Sequence, residues 1–380
     1  MTFDRESGIY VHIPFCRAKC HYCDFNSYPG MEAMIPGYFD ALNTEVELYG
    51  EKTGDKGIKT VFIGGGTPSL VDSRHLYNLM NGLRSSFHIS SGAEISIETN
   101  PGTLDYGKLM AYRAMGINRL SMGLQAWQDG LLKKLGRIHR AGEFSENFQL
   151  ARKVGFKNIN VDLIFGIPGQ TVKDWVETLE KVVGLGPAHI SCYSLKIEEG
   201  TEFGDRLERE ELIPMEDELD REMYYEAVER LGKHGYRHYE ISNFALEGCE
   251  CRHNLIYWKG ESYVGLGAGA HSYYGGKRYN DIYNVEAYIS AMKYRTIPME
   301  NVEEIKLEDE IAEYMILGLR LIDGIGKKEF KQRFDSNIRD LFGTRLDALI
   351  KKQLLVEDGD RIRLTPRGLD LANEVFIEFI

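Results

Sequence analysis

The chain contains no run of about 18 consecutive apolar residues, so no segment has the length and composition of a membrane-spanning helix. It also lacks a basic excess. Its 46 Lys and Arg stand against 58 Asp and Glu, a formal net charge of −12. That balance argues against a protein that binds nucleic acid or an anionic membrane, which carries a basic footprint. The opening stretch MTFDRESGIY mixes charges and has no apolar stretch of the signal-peptide kind, so the cytoplasm is the expected compartment. No internal repeat and no low-complexity linker is present. Cysteine is scarce, six in 380 residues, and half of them are bunched. That usage does not describe a secreted disulfide framework. In a reducing compartment, such a bunch marks a metal or catalytic site.

The bunch lies in VHIPFCRAKCHYCDFNS, with Cys16, Cys20 and Cys23 spaced Cys-x3-Cys-x2-Cys. Four soft ligands close off a metal, whereas three leave a coordination position open. Two chemistries fit the spacing. One is a structural zinc site with His12 or His21 as the fourth ligand. The other is a [4Fe–4S] cluster in which one iron has no protein ligand.

The 43% hydrophobic content fills a substantial core. Six β-rich runs alternate with amphipathic stretches: GIYVHIP (8–14), TVFIGG (60–65), EISIET (94–99), RLSMGLQ (119–125), INVDLIFG (159–166) and HISCYSL (189–195). Strands that each lead into a helix or loop imply parallel βα units. Several runs are nearly continuous in apolar residues, as expected where both sheet faces are covered. The expected fold is α/β: a partial (β/α)6 barrel over residues 1–200, an extension packing on it over 201–300, and a winged-helix-like α+β module over 301–380. In that last module the DGD turn of LLVEDGDRIRLTPRGLDL joins two short strands before a final helix.

In βα barrels functional groups collect where strands end. The cysteines follow the first strand. The second ends in GGGTPS, where Gly65 and Gly66 let the backbone approach a ligand and their N–H groups can grip a charged tail. Glu98 closes the third strand, Gln125 the fourth, Arg137 follows in LGRIHR, and Asp162 lies on the fifth. Together they describe a pocket for a zwitterionic ligand.

This set resembles the radical S-adenosylmethionine (SAM) superfamily, in which SAM chelates the open iron and its reductive cleavage gives a 5′-deoxyadenosyl radical. The resemblance narrows to the branch of the oxygen-independent coproporphyrinogen III oxidases through YVHIPFC, GGGTP, NRLSMGLQ, LGRIH, DLIFGIPGQT and HISCYSL, and covers nearly the whole chain. It implies Cys16, Cys20 and Cys23 as cluster ligands. It further implies SAM contacts from Tyr10, Tyr22, Gly65, Gly66, Thr67, Glu98, Gln125, Arg137 and Asp162.

Within that branch the chain looks more like the haem-chaperone group than the oxidases. Phe25 stands where the oxidases carry a further cysteine, only fifteen residues precede Cys16, and residues 253–258 read HNLIYW. The resemblance implies haem as cargo, apo-haemoproteins as clients, and room for a homodimer. It makes His253 the candidate axial ligand, a role histidine commonly fills. Tyr257 and Trp258 offer flat surface for a macrocycle, and Asn254 a donor to a propionate or the imidazole. His271 is a second candidate, Cys249 and Cys251 are nearby thiols, and Cys192 reads as core. The alternative function is coproporphyrinogen III dehydrogenase.

Overall fold

The computed structural model describes residues 6–53 and 57–380. Its centre is a run of parallel strands separated by helices. In chain order these are β1 (Glu6–Ile13), the short pair β2 (Phe15–Cys16) and β3 (Tyr28–Pro29), α1 (Ile35–Thr53), β4 (Gly57–Gly65), α2 (Ser73–Ser86), β5 (His88–Thr99), α3 (Tyr106–Ala114), β6 (Arg119–Gln125), α4 (Asp129–Lys134), α5 (Ala141–Val154), β7 (Asn158–Phe165), α6 (Val172–Leu185) and β8 (His189–Ser194). β1, β4, β5, β6, β7 and β8 are neighbours in that order, all parallel. This is the (β/α)6 partial barrel. Several helices begin where a side chain caps their free N–H groups. Asp72 accepts from Arg74 N, Asp105 from Lys108 N, and Thr171 forms a capping box with Asp174.

The two faces of these strands differ in chemistry. Ile9, Val11, Ile13, Val61, Ile63, Ile95, Ile97, Leu120, Met122, Val161 and Leu163 are buried in the core beneath the helices. The alternate positions carry Tyr10, Glu98, Arg119, Ser121, Asn160, Asp162 and Ser191, which line an internal cavity. Successive strand residues point to opposite faces, so the barrel has an apolar outside and a polar lumen. This corrects the expectation of strands apolar on both faces.

The remaining chain lengthens the same sheet. It forms α7 (Glu202–Glu208), α8 (Asp217–Lys233), β9 (Arg237–Glu240), β10 (Asn243–Ala245), α9 (Arg252–Trp258), β11 (Tyr263–Leu266), β12 (His271–Tyr274), β13 (Lys277–Asp281), α10 (Val285–Lys293) and β14 (Met299–Glu304). β11 pairs parallel to β1, and β10 pairs antiparallel to β8, giving a twelve-stranded sheet among the described residues. One hydrophobic core runs from Ile9 to Met292, so residues 201–300 share the barrel's core rather than holding their own. A second core, from Met315 to Phe379, belongs to α11 (Leu307–Gly318), β15 (Ile325–Gly326), α12 (Lys327–Phe334), α13 (Ile338–Lys351), β16 (Leu355–Asp358), β17 (Arg361–Leu364), α14 (Pro366–Asp370) and α15 (Ala372–Ile377). β15, β17 and β16 form the small antiparallel sheet of this C-terminal module.

Candidate functional site

The cysteine loop leaves the C-terminal end of β1. All six cysteines are free thiols. Cys16 Sγ lies 3.5 Å from Thr67 Oγ1, Cys23 Sγ 3.8 Å from Ser27 Oγ, and Arg137 Nη1 donates to Cys20 Sγ at 3.6 Å. Burial pushes the Cys16 and Cys23 thiols up, and neighbouring hydroxyls pull against it. The loop thus offers three thiols with donors beside them, the setting in which a bound metal ion stabilises thiolates.

The zinc alternative fares poorly. His12 donates Nε2–H to Asn26 O at 2.7 Å, which leaves Nδ1 to accept from the Tyr10 hydroxyl at 3.0 Å. His21 Nδ1 is turned to Lys134 O at 2.9 Å.

The GGGTP run braces this loop. Gly66 N donates to Ile13 O and Thr67 N to Phe15 O, each at 2.8 Å. Gly65 N donates to Glu98 Oε2 at 3.0 Å. The N–H groups expected to grip a ligand therefore have intramolecular acceptors. Gly65 sits at φ +115°, with His12 where a Cβ would go. A Cβ on Gly66 would meet Phe15 O at 2.7 Å and Cys16 Sγ at 2.9 Å. Glycine is needed here because β4 passes directly under the cysteine loop.

Arg137 donates from Nη2 to Asn100 Oδ1 at 2.7 Å and to Gly123 O at 2.9 Å. Gln125, in the left-handed region at φ 72°, folds back over Gly123 beside that guanidinium. Tyr22 lies against Cys20 and Arg137, with its phenol pushed up by burial. Burial, then repulsion from Asp162, pushes Glu98 up to about 8. Asp162 is likewise raised by burial, although Ser121 Oγ donates to it at 2.9 Å and Asn160 Nδ2 at 2.8 Å. Two carboxyls with raised proton affinity therefore share one buried wall, a mark of functional sites.

The HNLIYW segment forms α9, which closes the opposite end of the barrel. Glu94, near the start of the regular part of β5, accepts from Arg252 N at 3.2 Å and His253 N at 3.1 Å. His253 is 1% exposed. Its Nδ1 lies 2.8 Å from Thr60 Oγ1 and its Nε2 2.8 Å from the Tyr257 hydroxyl, and the ring stacks on Phe62. Burial holds it down to about 3, so it is neutral. Tyr257 and Asn254 face the lumen with His253. Trp258 does not. It lines a separate crevice of about 440 Å³ against the C-terminal module, with the Arg320 guanidinium 4.4 Å from its ring. Consecutive helix residues point about 100° apart, so Tyr257 and Trp258 form no common surface for a macrocycle. This corrects that expectation.

His271 is exposed at the start of β12, with Nε2 3.0 Å from the Tyr283 hydroxyl. Burial pushes the Cys251 thiol up to about 12 and raises Cys249 too, so neither is poised as a thiolate. Cys192 lies in the core. The sequence motifs missed Glu94, Asn100, Arg119, Ser121, Asn160 and Ser191. For the strand residues among them the signal was available: a polar residue at every second position.

Residues 10–182 match the family described as the radical SAM superfamily, and residues 305–371 match the HemN C-terminal domain. Fold and site thus define a radical SAM protein. The particular kinship is closer still. The heme chaperone HemW of Bacillus subtilis (strain 168) is 39% identical over 372 residues, 98% of each chain. That of Lactococcus lactis subsp. lactis is 35% identical over 377 residues, 99% of this chain and 98% of the relative. That of Escherichia coli (strain K12) is 31% identical over 380 residues, 98% of each. The chain belongs to the HemW family of heme chaperones. Its fold matches that of E. coli coproporphyrinogen III oxidase (HemN), with a TM-score of 0.86 at 24% identity over 98% of this chain and 89% of that one.

Proposed function

We propose that this protein carries haem and delivers it to apo-haemoproteins in the cytoplasm, and that it holds a [4Fe–4S] cluster on Cys16, Cys20 and Cys23. SAM would lie against Tyr10, Tyr22, Gly65, Gly66, Thr67, Glu98, Gln125, Arg137 and Asp162. The observation that carries this proposal is the full-length kinship with HemW chaperones at 31–39% identity. The gathering of the free thiols with Arg137 and Thr67 at one rim, and of the raised carboxyls of Glu98 and Asp162 on the adjoining lumen wall, supports the cofactor assignment. Cluster and SAM together supply one-electron chemistry, and this chain's residues position them. His253 is the proposed axial ligand. Ligation there requires Tyr257 to release Nε2. A homodimer is compatible with this function.

Anaerobic reconstitution followed by haem titration tests the proposal. A Soret band that saturates with haem, and an EPR signal of the reduced cluster perturbed by SAM, are the expected results. The same preparation, given coproporphyrinogen III, SAM and a reductant, should form no product detectable by porphyrin fluorescence after oxidation. Turnover would establish the dehydrogenase instead.

A further inference from the structure

Arg119 opens β6 on the lumen face. It is 2% exposed and borders a cavity of about 160 Å³ with Glu98, Asp162, Tyr193 and His253. Among the described residues its guanidinium makes no hydrogen bond and no ion pair within 4.0 Å, and its Nε is buried without a partner. Its cross-strand neighbours show the same condition. Ser96 and Asn158 lie directly opposite it on β5 and β7, and Ser96 Oγ and Asn158 Oδ1 are also buried without partners. One rung of the barrel thus carries two unmatched oxygens beside an unmatched guanidinium Nε.

A guanidinium cannot shed its proton. Buried charges are ordinarily paired, and an unmatched one destabilises the fold. Burial works against the charge, and the acidic side chains of Cys251, Glu94, Tyr239 and Asp162 at longer range favour it. None of them satisfies the five donors. The planar fork suits a carboxylate, bound bidentately. The cavity as it stands admits a carboxylate-bearing arm; a macrocycle whose iron meets His253, which lines the same space, requires it to widen, since sites for whole drug-sized ligands measure roughly 300–1,000 Å³.

We propose that Arg119 forms a carboxylate-binding subsite for a second molecule at the floor of the barrel, in a cavity it shares with the SAM candidates Tyr10, Glu98 and Asp162. SAM's own carboxylate belongs at the cluster end. Arg119 lies six residues before Gln125 on one strand, roughly 20 Å away at about 3.3 Å per residue. The haem proposal supplies the source: a propionate arm reaching down the lumen.

The test titrates haemin and haemin dimethyl ester into the reconstituted parent, Arg119→Met and Arg119→Lys, with melting temperatures of the haem-free proteins recorded. The parent should favour haemin over the ester by about tenfold or more, as expected for a charge-assisted pair. Arg119→Met should lose that preference and Arg119→Lys should keep part of it. Arg119→Met should melt no more than about 2 °C below the parent, because no native partner is lost. Haemin affinity unchanged in Arg119→Met, equal affinity of the parent for haemin and ester, or weakening of SAM binding alone overturns the proposal. So does a large fall in melting temperature, which would make Arg119 a structural counter-charge. Should the parent bind no haemin, the haem proposal fails separately. Saturating sodium propionate then decides. A rise in the parent's melting temperature that is absent in Arg119→Met supports the subsite, and no rise overturns it.

Discussion

His253 Nε2 lies 2.8 Å from the hydroxyl of Tyr257, one helical turn further along α9. With Thr60 on the other ring nitrogen, the imidazole is fully hydrogen-bonded. It can meet haem iron only by giving up the Tyr257 contact. Tyr257→Phe removes that competitor and retains the ring, so it should bind haem faster and more tightly than the parent. His253→Ala should weaken haem binding and alter the Soret band while leaving the cluster intact. Stopped-flow absorbance reads both. A Tyr257→Phe variant slower than the parent, or a His253→Ala variant with the parent's spectrum, assigns the iron to another ligand, His271 first.

The cysteine loop makes a stoichiometric prediction. About four iron and four sulfide per chain should be taken up after anaerobic reconstitution. Replacing Cys16, Cys20 or Cys23 by Ala should abolish stable uptake, whereas Cys192→Ala should not. Metal and sulfide analysis checks this, and stoichiometric zinc without iron would refute it.

Gly66→Ala places a methyl group 2.7 Å from Phe15 O and 2.9 Å from Cys16 Sγ. Forced crowding of this kind costs roughly 1–3 kcal/mol. The variant should therefore show a lower urea midpoint and, because Cys16 is displaced, should lose reconstituted cluster faster under chelator. Gly130→Ala, with open space around its Cβ position, should do neither.

Glu98 yields a pH prediction. Burial, then Asp162, raises its folded-state value to about 8 from 4.5. Between those values the folded state binds more protons than the unfolded state, so stability falls as pH rises. The slope approaches 1.4 kcal/mol per pH unit for one proton. Glu45 and Asp281, also raised by burial, add to the parent's slope. Glu98→Gln should remove only the contribution of Glu98, leaving the haem-free protein less sensitive to pH between about 5 and 8. Denaturation curves across that range check it, and a slope equal to the parent's would show that Glu98 is ionised in the fold.

Local patterns carried much of this protein in its sequence. The six β-rich runs became the six parallel strands because alternating strand and helix periods are local properties. Cys16, Cys20 and Cys23 sit within eight positions, so their proximity needs no folding. The DGD turn between β16 and β17 is equally local. Tertiary structure alone decided what depends on distant pairing. It set Arg119 opposite Ser96 and Asn158 without a partner for its charge, since three separate strands make that rung. It brought β11 alongside β1, and it brought Glu94 to the start of α9 across 158 residues of chain. It also turned Tyr257 into the lumen and Trp258 away from it. A single apolar motif in sequence thereby became two walls of different cavities, because helical rotation separates adjacent residues whatever their shared chemistry.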